Sequence, residues 1–255
     1  MTQKLAGTTF VYRGLSLDYC FIETIKCLAE CTDKVFIMAG GDDGTYETIV
    51  DTKFDGHIFV RRILQDEWDA QKGREKLAYF QNLSIRQAQR EGYGWNFLLQ
   101  ADEILHEECY GVLRQATEKD NEAYYAKRIN LWGSPYTALN VPESRSPVGT
   151  RIIRVGRSFY PSVDDGESLL AVASEEFMHN LRIYHMGFVR EKHKHLVKIK
   201  HIQEDVFGFE KADSRIDNMT GGFSPWVMFD KSDVSPIEEP LPKIITSWAK
   251  ERANQ

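Results

Sequence analysis

The run Trp95-Asn96-Phe97-Leu98-Leu99 passes without a break into Gln100-Ala101-Asp102-Glu103. A short, almost continuous apolar run is the pattern of a strand buried on both faces, and such strands belong to parallel sheets covered by helices. In open sheets of that kind, ligands bind beyond the C-terminal ends of the strands. Carboxylates delivered there suit a hard divalent cation, and a hard cation suits a phosphate-bearing substrate. The same acids would also serve the first turn of a following helix. The rest of the chain decides between these readings.

The preceding hundred residues alternate between the two periodicities. Thr8–Tyr12, Lys34–Ala39 and His57–Arg61 read as strands. Asp18–Cys31 has an apolar face of Phe21, Ile22, Ile25, Leu28 and Ala29, Tyr46–Asp51 reads as a short helix, and Gln71–Glu91 as a long one closed by Gly92-Tyr93-Gly94. Strands joined by helical crossovers imply a parallel sheet with right-handed connections. Beyond Glu107 the expected strands are Ala123–Leu131, Arg151–Val155 and Leu181–His185, with a loop from Gly133 to Gly149 and a helix over Phe188–Gln203. The proline-rich remainder reads as a wrapping tail. The expectation is therefore an α/β catalytic domain over 1–203 with a C-terminal extension over 204–255.

At 255 residues, 42% hydrophobic and 27% charged, the chain has an ordinary composition for a soluble globular protein. A net charge of −6 argues against a general nucleic-acid binder without excluding a local basic site. No run is long enough to span a membrane, and the first residues lack the apolar core of a signal peptide, so a cytoplasmic protein is expected. Cys20, Cys27 and Cys31 share one helical face, and no CxxC pair completes a metal set with Cys109. All four read as small buried hydrophobes.

The dinucleotide fingerprint GxGxxG is absent after the first strand, which ends Tyr12-Arg13-Gly14, and there is no P-loop. The glycine cluster instead follows the second strand as Gly40-Gly41-Asp42-Asp43-Gly44-Thr45. Its two acids would repel a pyrophosphate, yet they suit hydrogen bonds to a ribose or base edge.

This ordered set resembles the GT-A fold of family 2 glycosyltransferases: strand, amphipathic helix, strand ending in GGDDGT, long helix, then WNFLLQADE. The resemblance runs from about Thr8 to about Lys200. It implies a sugar transferred from a nucleotide-diphosphate donor to an acceptor hydroxyl, with inversion, using Mn²⁺ or Mg²⁺. Asp43-Gly44-Thr45 corresponds to the turn lining the nucleotide pocket, and Asn82 to the Asn of the long helix. Gln100-Ala101-Asp102 corresponds to the DxD motif, in a bacterial and phage-like QxDE form. Arg13, Asp42, Asp43, Asp69, Arg74, Asn82, Gln100, Ala101 and Lys192 are the expected donor-binding residues. Asp102 is the expected metal ligand, with His185 completing the set. Asp164 or Asp165 would be the base, Asp165 being preferred. Two departures are clear: Gln100 replaces the first acid, and an apolar residue in VFIMAGG replaces the acid that often closes the second strand.

Arg190–His201 carries five Lys or Arg and three His. It reads as a cationic segment closing on a diphosphate, as the solvated face of a helix, or as a contact for an anionic acceptor. Lys192 and Lys194 stand out there. Trp132 and Tyr136 are the expected acceptor-side rings, a turn being expected to expose Trp132. The acceptor stays open among a saccharide, a lipid-linked intermediate, a small hydroxylated molecule and a modified DNA base. A non-catalytic nucleotide-binding scaffold and a nucleotidyltransferase are the alternatives.

Overall fold

The structure is a computed structural model that describes residues 3–73, 75–119, 121, 123–139, 149–154, 162–163, 166, 168–169, 175–190, 192–206 and 234–253. Its first half is built from β1 (Leu5–Tyr12), α1 (Phe21–Cys31), β2 (Lys34–Gly40), α2 (Thr45–Asp51), β3 (Ile58–Ile63), α3 (Gln65–Ala70), α4 (Glu75–Arg90) and β4 (Trp95–Leu98). These form the parallel order β3-β2-β1-β4, with helices covering the sheet. The fold is α/β, as the alternating pattern implied. β2 and β4 are buried almost throughout because their runs Val35–Gly40 and Trp95–Leu98 present no polar face to solvent, Asn96 apart.

The helices follow from local chemistry. α1 buries Phe21, Ile25, Leu28 and Cys31 on one side and stops where the Thr32 hydroxyl and backbone N–H both return to the Leu28 carbonyl. α4 ends at Gly92, whose φ of 81° is a left-handed closure that other residues resist; Gly92 N–H and Tyr93 N–H close on the carbonyls of Gln89 and Ala88. The sequence reading expected one helix over Gln71–Glu91 and none between it and the strand before it. The structure starts α4 at Glu75 and adds the separate helix α3, whose Trp68 is buried.

The second half extends the same sheet with β5 (Glu103–Leu105), β6 (Ala123–Trp132), β7 (Ser134–Leu139), β8 (Gly149–Arg154) and the long β11 (Glu175–Phe188). A 3-10 turn (Glu107–Cys109) and α5 (Tyr110–Ala116) lie between β5 and β6, and a small hairpin of β9 (Ser162–Val163) and β10 (Ser168–Leu169) precedes β11. β4, β8, β6 and β7 pair antiparallel in turn; β11 runs parallel to β6 and antiparallel to β5. Parallel pairing thus makes up β3-β2-β1-β4 and recurs once in the second half, between β11 and β6. The expected Gly133–Gly149 loop contains β7, which turns back from β6 at Gly133 (φ 67°). Its residues are half-buried without a clean alternation, so no strand period marked them.

After β11 the chain forms α6 (Lys192–His201), a π-type turn over Ile202–Val206, β12 (Val234–Pro236) and α7 (Lys243–Ala253). β12 pairs with β7, and Ile245 of α7 belongs to the main core with Leu28, Leu105 and Leu113. Glu107 accepts from the Lys243 backbone N–H, His106 Nε2 lies 3.0 Å from the Pro240 carbonyl, and Arg182 pairs with Glu108 and Glu239. The four cysteines are buried and unpaired, as their apolar spacing suggested.

Candidate functional site

A cavity of about 290 Å³ opens beyond the C-terminal ends of β1 and β4. Val11 and Tyr12 of β1, Gln100, Ala101 and Asp102 after β4, His185 and Phe188 at the end of β11, and His195, Lys198 and His201 of α6 line it. This is the position at which an open parallel sheet receives ligands.

Strand register builds its centre. His185 pairs with Glu103 across β11 and β5, and the Met186 N–H donates to the Asp102 carbonyl at 2.7 Å. His185 also pairs with Asn130 of β6, which sets His185 Nδ1 2.9 Å from Asn130 Oδ1. When Nδ1–H donates there, Nε2 keeps its lone pair and faces Asp102 Oδ1 at 3.6 Å. Two acceptors turned toward one another is the arrangement a cation completes. Gly187 keeps that space open: a Cβ there would collide with His185 Nε2 and stand 3.2 Å from Asp102 Oδ2.

The other Asp102 oxygen faces two cations. Lys198 Nζ lies 2.9 Å from Oδ2 and an Arg190 guanidinium nitrogen 3.7 Å from it. Asp102 is 4% exposed. Burial alone would raise its carboxyl, but Lys198, His185 and Arg190 outweigh burial and hold it well below the usual range. Burial pulls Lys198 down, with Asp102 opposing that shift. Both cations lie over the Tyr19 ring, Lys198 at 4.6 Å and Arg190 at 5.2 Å from its centroid. Arg190 further donates to the Leu17 carbonyl, tying the 13–20 loop to the site. His195 sits beside these cations, and burial, then Lys198 and Arg190, push it down to about 4.

Glu103, next in sequence, serves another purpose. It is fully buried, caps the turn by accepting from the Gln100 backbone N–H at 2.9 Å, and pairs with Arg128 at 3.3 Å. Arg128 also donates to Gln100 Oε1 at 3.2 Å. The QADE turn is therefore braced by its outer residues, while Ala101 and Asp102 line the cavity.

Of the residues singled out from sequence, Gln100, Ala101, Asp102 and His185 come together at the cavity. Arg13 and Asp42 form an ion pair of 2.9 Å near the end of β1, Asp42 being exposed. Asp43 is committed to its turn, accepting from Ser16 N–H, Thr45 N–H and the Thr45 hydroxyl. Burial raises and these bonds lower its carboxyl, with a net downward shift. Asp69 is exposed and accepts from Gln65, which itself accepts from the Tyr12 hydroxyl at 2.6 Å. Asn82 is turned to the protein, making a reciprocal pair with the Ser162 backbone at 2.6 and 3.1 Å. Arg74, Asp164 and Asp165 lie outside the described residues, as does the Lys192 side chain. Trp132 is a correction: it is 7% exposed and packed 4.8 Å from Phe188, because it closes β6, in register with Phe188 of β11, and does not sit in the turn. Tyr136 is 54% exposed on β7 and is not among the cavity-lining residues.

Sequence reasoning favoured Lys192 and Lys194, whereas the structure brings Lys198 and Arg190 to Asp102. Lys194 faces Asp18 at 3.7 Å. A helical signal for Lys198 was present, since His195, Lys198, Ile199 and Ile202 recur at one-face spacing. Tyr12 and Trp68 form an aromatic wall of the cavity, stacked at 3.7 Å and 3°; Trp68 was readable as a ring at the rim, Tyr12 was not.

No family model and no curated protein sequence matches the chain. Among solved structures it is similar to S. aureus TarS, with 12% identity over 86% of this chain and 42% of that one, and a TM-score of 0.48. The chain thus spans less than half the length of that protein. The complex of TarS 1-349 with UDP-GlcNAc gives 14% identity, coverage of 86% and 71%, and a TM-score of 0.45. An inositol-1-phosphate CTP transferase from T. maritima gives 10% identity, coverage of 81% and 98%, and a TM-score of 0.40. At these values the likeness carries no activity to this chain.

Proposed function

We propose that the chain is a glycosyltransferase that takes a sugar from a nucleoside-diphosphate donor with the help of Mn²⁺ or Mg²⁺. The observation that carries this reading is the split environment of Asp102: one oxygen facing His185 Nε2 at 3.6 Å, the other facing Lys198 and Arg190. Among the described residues no group of three or more His, Cys, Asp and Glu surrounds a metal-sized space. A two-residue site still suits magnesium or manganese in a phosphate-binding enzyme, since such ions keep water and phosphate oxygens as their other ligands. Asp102 and His185 would hold the ion, which would neutralise the diphosphate leaving group.

The chain's own residues supply the rest. Lys198 and Arg190 offer fixed positive charge to the diphosphate within a cavity where that charge is little screened. Ala101 permits close approach beside Asp102. Asn82 clamps Ser162, and Gly166 packs where an added Cβ would meet the Leu77 carbonyl at 3.3 Å and the Phe10 ring at 3.4 Å. Both contacts hold the β9–β10 hairpin against the cavity wall, since Phe10 and Leu77 line the cavity. Asp164 and Asp165 belong in sequence to that hairpin, which favours one of them as the base toward an acceptor hydroxyl. The acceptor class stays open.

A thermal-shift panel of UDP, GDP, ADP, CDP and dTDP, each with and without Mn²⁺, tests the reading. One nucleotide should stabilise the protein most strongly with Mn²⁺, by about 3 kcal/mol at 100-fold saturation. Asp102→Ala should abolish the added effect of the metal. If no nucleotide shifts the transition under either condition, the transferase assignment fails.

A further inference from the structure

The charges around Asp102 imply an order of binding. His185 and Asp102 present one metal-facing edge, yet Lys198 and Arg190 stand on the opposite oxygen of the same carboxylate, at 2.9 and 3.7 Å. Two fixed cations against one carboxylate leave this centre with a positive surplus when His185 is neutral. Other cations stand outside the cavity lining, around Asp205. Lys76 is 4% exposed and donates to the Asp205 carbonyl at 2.8 Å, and Arg13 reaches the Asp205 carboxylate at 3.4 Å. Asp205 is also paired with His201 at 2.6 Å, and Asp18 with Lys194 and Arg252. Those acids are thus engaged at the periphery, while the surplus sits at Asp102.

A divalent ion entering this centre alone meets repulsion from both cations. A diphosphate entering alone meets attraction. We propose that the site is anion-first, and that Lys198 couples the two ligands: it attracts the diphosphate and holds off the free metal until the diphosphate has neutralised it. This inference rests on the donor-site reading above, but makes a separate statement about charge. A single charge 4–6 Å away changes proton affinity by about 1–3 pKa units, which is a factor of roughly 10 to 1,000. Removing the Lys198 charge should therefore change both affinities by at least ~10-fold, in opposite directions.

The probes are inorganic pyrophosphate without metal and Mn²⁺ without phosphate, measured by calorimetry and by Mn²⁺ electron paramagnetic resonance respectively. The proteins are the wild type, Lys198→Met, Lys198→Arg and Asp102→Asn. Lys198→Met keeps most of the apolar stem, and an unchanged far-ultraviolet spectrum and cooperative melt establish that it folds. Wild type should bind metal-free pyrophosphate and take up Mn²⁺ weakly. Lys198→Met should bind pyrophosphate at least ~10-fold more weakly and Mn²⁺ at least ~10-fold more tightly. Lys198→Arg, which keeps the charge, should follow wild type, and Asp102→Asn should lose the weak Mn²⁺ uptake that wild type shows. Equal Mn²⁺ affinity in wild type and Lys198→Met, or pyrophosphate affinity unaffected by that change, overturns the proposal. If pyrophosphate and Mn²⁺ behave as stated but no nucleotide binds better than pyrophosphate, the coupling stands and the nucleotide-sugar reading falls.

Discussion

At the scale of single residues, neighbouring acids in this chain have separate duties. Asp102 serves the cavity, Glu103 braces the turn below it, Asp42 pairs with Arg13, and Asp43 holds its own loop. For Asp43 the bond from the Thr45 N–H caps the first amide of α2, while those from the Ser16 N–H and the Thr45 hydroxyl tie the turn to the 13–18 segment. Loss of such a cap costs about 0.5–2 kcal/mol, so Asp43→Ala should lower the urea midpoint without changing the slope. Because the folded carboxyl is depressed, its contribution is present above the ordinary value near ~4 and fades as pH falls through the lower folded value. An Asp43→Ala protein as stable as wild type at neutral pH would mean these bonds contribute nothing. Asn82 teaches a related point: its position fitted a nucleotide-facing motif, yet its amide matches the Ser162 backbone so well that it is used up there.

At the scale of elements, α6 shows how a basic run is sorted by helical geometry. Lys198 and His195 face inward, while Lys194 and Lys200 meet Asp18 and Glu204 on the outside. His195 gives a pH signature. Its folded value near 4 lies below the ordinary ~6.5, so the unfolded chain takes up its proton first as pH falls. Its effect on stability should be level above pH ~6.5 and unfavourable increasingly between ~6.5 and ~4. His195→Asn should flatten that part of the stability–pH curve; a curve of unchanged slope would count against a buried neutral imidazole. Strands β1, β2 and β4 were legible because short, dry apolar runs leave few alternatives, and β3 because its Ile58-Phe59-Val60 is rich in β-branched and aromatic residues. β5 and β7 were not, one being three residues long and the other a half-buried strand near the sheet edge. The Lys198–Asp102 contact was illegible for another reason: it joins residues 96 apart, and only strand register with helix phase brings them together.

At the scale of the molecule, the parallel half and its antiparallel continuation share one core. The cavity lies where β1 and β4 end and α6 folds back over them. The C-terminal helix belongs to that core through Ile245, which is 1% exposed. Ile245→Ala should cost about 2–5 kcal/mol, read as a lower denaturation midpoint. A cost below about 0.5 kcal/mol, the usual range for surface changes, would mean that α7 is only loosely attached. Arg252 of the same helix reaches Asp18 at 2.5 Å, so this packing extends to the loop that borders Tyr19 and the site.

The central claim is that Asp102, with its opposed imidazole and its two cations, handles the diphosphate of a sugar donor. Turnover with nucleoside-diphosphate sugars, measured as released nucleoside diphosphate, tests this most directly in wild type and Asp102→Asn. The account predicts release from one donor by wild type and a loss of about 100-fold or more in the variant, the scale of removing a principal electrostatic group. Equal release by the two proteins, or pyrophosphate as the product from a nucleoside triphosphate and a sugar phosphate, would contradict it.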